Sequence, residues 1–308
     1  MLQYVKMYGS IVLAMVFWSF SFIWTKVAME SFEPVTLVTL RLVFASLLLF
    51  LFAKITGKAQ KIKREDYKWF LLLALFEPYL YYMGETYGLQ YMSATTASVI
   101  IATIPLFAPV LAFFMLKERI TWTNILGIIV SISGVILVIY VPGSGMEAEF
   151  RGIFLMFMAV FSAVFYTATL RRISMHYHTI NVILYQSLIG LVFFVPTFFV
   201  TDFSQISQLK ISLKSLEALI MLSIFASVLA FVLFAWVVRK IGIAKTNVFV
   251  NLIPVFTAIF SWLLLKQLLS FTQWTGIVVV VAGLFVSQLG RMKKQSVKVV
   301  ELTKATEF

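Results

Sequence analysis

Two glutamates, Glu77 and Glu85, stand in the stretch FEPYLYYMGETYGL (residues 76–89), among aromatic and aliphatic side chains. At membrane depth an ionisable group costs at least ~2.5 kcal/mol, and it is retained where it pairs, lines a watery cavity or acts on a substrate. The two acids are eight residues apart with Tyr81 midway, so a helix sets all three on one face. A carboxylate there can hold a cation of the protein, a substrate ammonium or a proton. Pro78 removes a backbone donor and loosens the helix beside Glu77. Pro105 and Pro254 are read as helix breaks of the same kind.

The elements that position these groups follow from the apolar content. Of 308 residues, 61% are hydrophobic, 16% aromatic and 12% charged, and the mean hydropathy is +0.98. A soluble chain of this length needs far more polar surface. The apolar residues come in blocks of about 20, enough for a helix to cross ~30 Å of hydrocarbon. Ten spans are expected, at about 9–29, 35–53, 69–87, 94–116, 122–141, 152–170, 180–199, 218–238, 246–265 and 271–289. The first follows Lys6 directly and lacks a small-x-small cleavage site, so it reads as a retained span.

Ten spans leave both termini on one side, and the basic residues choose the side. With the amino terminus in the cytoplasm, 19 of the 25 Lys and Arg residues fall in cytoplasmic segments, including Lys54, Lys58, Lys61, Lys63, Arg64 and Lys68 and the tail 291–308. Outside lie Arg151, Lys210, Lys214 and Lys266, while Lys26 and Arg41 are within spans. A net charge of +12 is thus membrane topology, and nucleic acid is not an expected partner. With no cysteine there is neither disulfide nor thiolate chemistry.

Depth along the third span, counted from Trp69, puts Glu77 about 12 Å in and Glu85 about 24 Å in. Arg41 and Lys26 share the outer leaflet with Glu85, so an ion pair of Glu85 with one of them is expected, direct work on substrate being the alternative. Glu77 finds no cation at its own depth. Desolvation disfavours the ionised form of any acid, which makes Glu77 the candidate for proton coupling or for a substrate ammonium. A protonated acid bonded to Tyr79, Tyr82 or a backbone carbonyl is the competing reading. A second polar set comprises Asn247 and Asn251, four residues apart below Pro254, and Gln186 at similar depth. These amides bond a substrate or tie helices together. Trp18, Ser21 and Thr25 share one side of the first span, where Trp18 and Ser21 are candidates to flank a pathway and ordinary packing is the rival reading for a lone tryptophan.

The chain also repeats. An offset of 149 lays residues 97–135 on 246–284 without a gap, and 11 of 41 positions over 95–135 are identical, among them Pro105/Pro254, Lys117/Lys266, Gly127/Gly276 and Gly134/Gly283. The glycines of each pair are seven apart and suit close helix approach. Five spans per half is an odd number, so the second copy enters the membrane upside down. Inverted repeats are a recurrent architecture of secondary transporters, with the site between the halves near the midplane.

These features resemble the EamA-type transporters of the drug/metabolite transporter superfamily, over all ten spans. The resemblance rests on FWSFSFIWTKVAMESFEPVTLVTLRLVFASLLL (17–49), SATTASVIIATIPLFAPVLAFFMLKERIT (93–121) and GIIVSISGV (127–135). Arg41 falls on the family's arginine of helix two, and Glu118 on the acid closing helix four. Ser19 replaces the glycine expected after Trp18, and Gln267 stands where the second copy often keeps a glutamate. The resemblance implies a ten-helix bundle carrying small metabolites such as amino acids, often outward.

The expected protein is thus an all-α polytopic membrane protein of ten transmembrane helices in two inverted five-helix repeats, 1–145 and 146–290, with a basic cytoplasmic tail 291–308. It sits in the inner membrane with a small molecule and the lipid bilayer as partners, as monomer or homodimer. No cofactor and no metal is expected: His176 and His178 are two apart in a loop without nearby carboxylates, and no Walker loop or nucleophile elbow occurs. A lipid-modifying enzyme would need convergent catalytic groups, and a channel would need polar stripes on several helices; the sequence supplies neither.

Overall fold

The computed structural model describes residues 2–116, 120–141 and 145–287. Lys117, Glu118, Arg119 and the basic tail 291–308 lie outside the described residues. In chain order the helices are α1 (Leu2–Ala28), α2 (Pro34–Ile55), α3 (Tyr67–Ala74), α4 (Tyr81–Gly88), α5 (Ala94–Ile101), α6 (Ile104–Leu116), α7 (Trp122–Ile139), α8 (Phe150–Ile173), α9 (Thr179–Thr201), α10 (Leu213–Met221), α11 (Phe231–Ile241), α12 (Ile243–Thr246) and α13 (Ile253–Leu265). A last helix, α14, covers Phe271–Ser287. After α7 the chain makes a two-residue ladder, Tyr140–Val141 against Gly145–Met146, where the sequence suggested helix to residue 141.

Among the described residues, eight stretches are long and apolar enough to cross a membrane. Their outward faces carry side chains such as Phe44, Leu47, Phe50 and Leu51, all exposed. Contiguous apolar surface of this kind requires lipid. The chain is an all-α polytopic membrane protein.

One expected span differs from the rest. The stretch 69–87 is two helices, because at Glu77 the backbone turns extended (φ −146°, ψ 118°) before a cis Glu77–Pro78 peptide. Pro78 donates no hydrogen bond, so α3 and α4 meet at a break. Of the stretch 271–289, the described part is helix over Phe271–Ser287.

Pro105 and Pro254 each sit in the first turn of a helix, α6 and α13, where a missing N–H is tolerated. Before α6 the chain turns at Ala102 and Thr103, and before α13 it winds tightly over Asn247–Leu252 as a 3₁₀ helix.

Helix contacts set the frame around the break. Along its length α2 lies on α9, while α4 lies on α8. At Gly84 an added Cβ would stand 2.4 Å from the Leu155 carbonyl oxygen, so the α4 and α8 backbones nearly touch. Similarly, α7 and α14 are antiparallel neighbours. Asn124 Nδ2 donates to the Ser287 carbonyl at 2.7 Å, Gln273 Nε2 to the Val138 carbonyl at 3.4 Å, and Ser131 Oγ to the Val280 carbonyl at 3.1 Å. Their glycines face one another, Gly127 against Gly283 and Gly134 against Gly276.

Each end of the bundle is tied by polar bonds. At one end the α2–α3 loop grips the start of α9. Gln60 Oε1 accepts from His178 N at 2.7 Å, Asn181 Oδ1 accepts from Gln60 N at 3.0 Å, and Tyr185 OH donates to the Gln60 carbonyl at 2.7 Å. Tyr177 OH donates to Asp66 at 2.7 Å. At the other end Asp202 Oδ2 accepts from the Thr36 N–H at 2.7 Å and its hydroxyl at 2.9 Å. There Glu147 accepts from Ser93 N and the Thr96 hydroxyl, and so holds the linker after α7 to the start of α5.

Candidate functional site

The break between α3 and α4 opens onto a cavity inside the bundle. Glu77, at the extended residue, and Tyr81, Tyr82 and Glu85, on α4, form one wall. Arg41 enters from α2, Trp18, Ser21 and Phe22 from α1, Tyr166 and Thr167 from α8, and Phe231 and Phe234 from α11. Asn247, with Val250 and Ile253, closes it from the tight turn before α13. Residues from both ends of the sequence therefore share one space.

Three ionisable groups meet in this apolar box. Arg41, Glu77 and Glu85 are 3%, 6% and 4% exposed, values at which an ionised group depends on partners for stability. Glu85 Oε1 accepts from Tyr81 OH at 3.1 Å, one helical turn earlier. Glu77 has no hydrogen-bond donor to its carboxyl among the described residues. Tyr79 turns away from it and exchanges a hydrogen bond with Thr197 on α9 at 3.1 Å. Arg41 Nε donates to Ser227 Oγ at 2.5 Å, and its guanidinium carbon lies 4.3 Å from the centre of the Tyr82 ring.

Glu85 makes no contact ion pair with Arg41 or Lys26. Among the described residues the ion pairs within 4.0 Å are Lys63–Glu65 and Lys214–Glu30, both on exposed ends. The physical reason is competition: Ser227 and the Tyr82 ring hold Arg41, while Tyr81 holds Glu85. Lys26 is half-buried at the end of α1, away from the cavity wall, and the carboxylate acting on it is Glu147. Arg41 instead acts through space on both glutamates. Reading depth along an unbroken helix left Glu77 without a cation; the break brings one into the same cavity.

The amides of the second polar set separate. Asn247 is on the wall. Gln186 stands behind it and accepts from Tyr166 OH at 3.2 Å, so it orients a wall residue. Asn251 is 1% exposed, and neither its Nδ2 nor its Oδ1 has a partner among the described residues. Ser21 spends its hydroxyl on the Trp18 carbonyl at 2.7 Å. Trp18 packs edge-on against Phe231, ring centres 5.2 Å apart, and leans on Phe234 at 4.9 Å, making an aromatic corner of the cavity.

Tyr166, Phe231 and Phe234 were not named from the sequence, and Tyr82 only as a hydrogen-bond partner for a protonated Glu77. Tyr82 adjoins Tyr81 and was within reach of a helical-face argument. The others lie on helices whose facing neighbours a single sequence does not reveal. No group of three or more His, Asp or Glu side chains able to hold a metal ion occurs among the described residues.

Comparison with known proteins agrees with this architecture. The sequence profile of the EamA-like transporter family matches the chain twice, over residues 5–140 and 150–289. An uncharacterised transporter of Archaeoglobus fulgidus is 26% identical over 274 residues, covering 89% of this chain and 95% of that one. YetK of Bacillus subtilis, also an uncharacterised transporter, is 28% identical over 212 residues, which cover 68% of this chain and 63% of YetK. The S-adenosylmethionine/S-adenosylhomocysteine transporter of Chlamydia trachomatis is 26% identical over 259 residues, 81% of this chain and 79% of that one. A crystal structure of a protein at 15% identity superposes with a TM-score of 0.65, covering 90% of this chain and 98% of that one, a likeness of fold alone. The chain belongs to the EamA-like transporter family, and it is a transporter and not an enzyme.

Proposed function

We propose that the protein is a secondary transporter that exports amino acids or related amines by alternating access. The observation that carries this reading is the cavity whose lining combines two carboxyl groups with an aromatic corner. An ammonium group satisfies a buried carboxylate, and aromatic faces attract the same cation. The name of the Chlamydia relative supports the class, since both compounds in it bear an amino-acid head.

The proposed frame is ten spans in two inverted halves, 1–145 and 146–290, with both termini in the cytoplasm of an inner-membrane protein. The doubled family match supports it. So does the α7–α14 seam: at an offset of 149, Asn124 and Ser287 are the mates of Gln273 and Val138, so the two amide bonds are copies of each other. Ser131 bonds its own mate, Val280, as residues near a two-fold axis do. The grip of Gln60 on His178 supports a common side for loops 56–66 and 174–178, the side rich in Lys and Arg. Rocking of such halves about a central cavity is the motion alternating access requires.

Glu77 is the proposed proton-coupling group. It faces the cavity without a donor, so its carboxyl is open to a proton or to a substrate ammonium in turn. In proteoliposomes, counterflow of a labelled amino acid is expected to accelerate when unlabelled substrate is present on the far side. Glu77→Gln is expected to abolish the pH dependence of net flux. Unchanged rate and pH dependence in that variant would refute the coupling role, and absence of counterflow for every amino acid and amine tested would refute the transporter mechanism.

A further inference from the structure

We infer that Arg41 is the anchor for a substrate carboxylate, so that the cavity selects zwitterions over the corresponding amines. The inference rests on the amino-acid or amine reading above and narrows it.

A guanidinium carries five N–H donors in a rigid plane. One of them, on Nε, is taken by Ser227 Oγ. The guanidinium carbon lies over the Tyr82 ring, 4.3 Å from its centre, a cation–π distance. Among the described residues the terminal nitrogens have no hydrogen-bond partner, and no carboxylate stands within 4.0 Å of them. Arg41 is nevertheless 3% exposed and its side chain lines the cavity. A buried cation with an unused planar fork is shaped for a bidentate carboxylate or phosphate.

The rest of the cavity decides between anions. Glu77 and Glu85 line the same wall, so a ligand with net negative charge meets two carboxyl groups beside the one guanidinium. A zwitterion meets complementary groups at both poles: its carboxylate on Arg41, its ammonium by the glutamates. Its side chain then faces Trp18, Phe22, Phe231 and Phe234, which favours an apolar or aromatic substituent. Ser227 and Tyr82 act as positioning residues, one through its bond to Nε and the other through its ring. The alternative role for Arg41 is to offset the two carboxyl charges through space without touching substrate, and the two roles differ in what they predict for ligands that lack a carboxylate.

The test uses matched ligands on the purified full chain in detergent: L-phenylalanine with phenethylamine and 3-phenylpropionate, and L-methionine and L-leucine each with its decarboxylated amine. Binding is read by ligand-induced thermal shift, because a ligand of the folded state raises its melting temperature. In the wild type at least one amino acid is expected to stabilise, its amine to bind about thirtyfold or more weakly, and 3-phenylpropionate not to bind. Arg41→Gln is expected to erase the preference by weakening the amino acid and not the amine, whose ammonium loses a like charge from the same cavity. Arg41→Lys keeps the charge and loses the fork, so it is expected to fall between them, and it serves where Arg41→Gln does not fold. Equal binding of amine and amino acid, or an unchanged ratio in either variant, overturns the inference. If amines bind and undergo counterflow, the transporter reading stands while this inference fails; if no compound binds or exchanges, both fall.

Discussion

The position of Glu85 depends on how closely α4 approaches α8, and a single methyl group tests that. An added Cβ at Gly84 would lie 2.4 Å from the Leu155 carbonyl oxygen and 2.9 Å from the Ala159 nitrogen, both backbone atoms of α8. Comfortable contact needs roughly 3.5 Å, so the helices must separate by about 1 Å, because neither atom can rotate away. Overpacking of this kind costs about 1–3 kcal/mol, and a backbone obstacle places it at the upper end. Replacing glycine by alanine in a helix returns about 1 kcal/mol of propensity. The net expectation for Gly84→Ala is about 2 kcal/mol of destabilisation, near thirtyfold in the folded ratio. One turn later the same change is mild: at Gly88 the nearest atom is Met156 Cγ at 3.1 Å, the middle of a flexible side chain. Gly9, with nothing within 4 Å of its added Cβ, serves as the control and is expected to gain stability. Thermal unfolding of the three variants in one detergent should order them Gly9→Ala, Gly88→Ala, Gly84→Ala, with substrate exchange reduced only in the last. Gly84→Ala as stable as Gly88→Ala would refute the close α4–α8 approach on which the placement of Glu85 and Tyr81 depends.

Two further outcomes are expected at the Gln60 end of the bundle. The chain has no cysteine, so Gln60→Cys with His178→Cys introduces one reactive pair, at positions joined by a 2.7 Å hydrogen bond; a short thiol cross-linker is expected to join them and stop counterflow until it is cleaved. Cross-linking without loss of exchange would mean that this grip does not open during transport. The second outcome concerns acid. Burial, with Lys58 and Arg239 nearby, holds the His178 imidazole below its ordinary 6.5, and its Nδ1 accepts from the Ile180 N–H at 3.4 Å. The folded chain thus binds this proton less readily than the unfolded chain, so the site's contribution is full above pH 6.5 and is lost as pH falls below that value toward the lowered one. The drop in melting temperature between pH 7.5 and pH 5.5 is expected to be smaller in His178→Asn; an equal drop would remove His178 as its source.

What could be read from the sequence follows the physics of one helix at a time. Apolar runs reveal spans, because each helix must satisfy its own backbone in lipid, and Pro78 flags the one place where the third span comes apart. A face shared by Glu77, Tyr81 and Glu85 is a property of helical period, though the extended backbone at Glu77 alters the register that the period assumes. The contents of the opposite wall are a different kind of fact. Tyr166, Phe231 and Phe234 reach the cavity because of how α8 and α11 are packed, and no periodicity within those helices distinguishes the cavity side from a buried helix contact. Gln186 and Asn251 illustrate the same gap: both are polar and buried, yet one props up Tyr166 and the other is enclosed off the wall.

The partner of Arg41 was the least legible feature, and the reason is general. Counting depth matches charges by leaflet, which treats every residue at one level as equally near. Inside a bundle, a guanidinium chooses by direction as well as distance: its carbon lies over the Tyr82 ring, its Nε points at Ser227, and its terminal nitrogens keep their N–H groups. Glu85 has its own donor in Tyr81, one turn away on the same helix. Two opposite charges can therefore line one cavity without forming a pair. A direct Arg41–Glu85 salt bridge would fill both groups and leave nothing for a ligand, whereas groups held apart by local partners keep their remaining valences for whatever enters between them. The cost of burying both charges is thus met locally only in part, and on the reading proposed above a substrate with charges of both signs supplies the remainder.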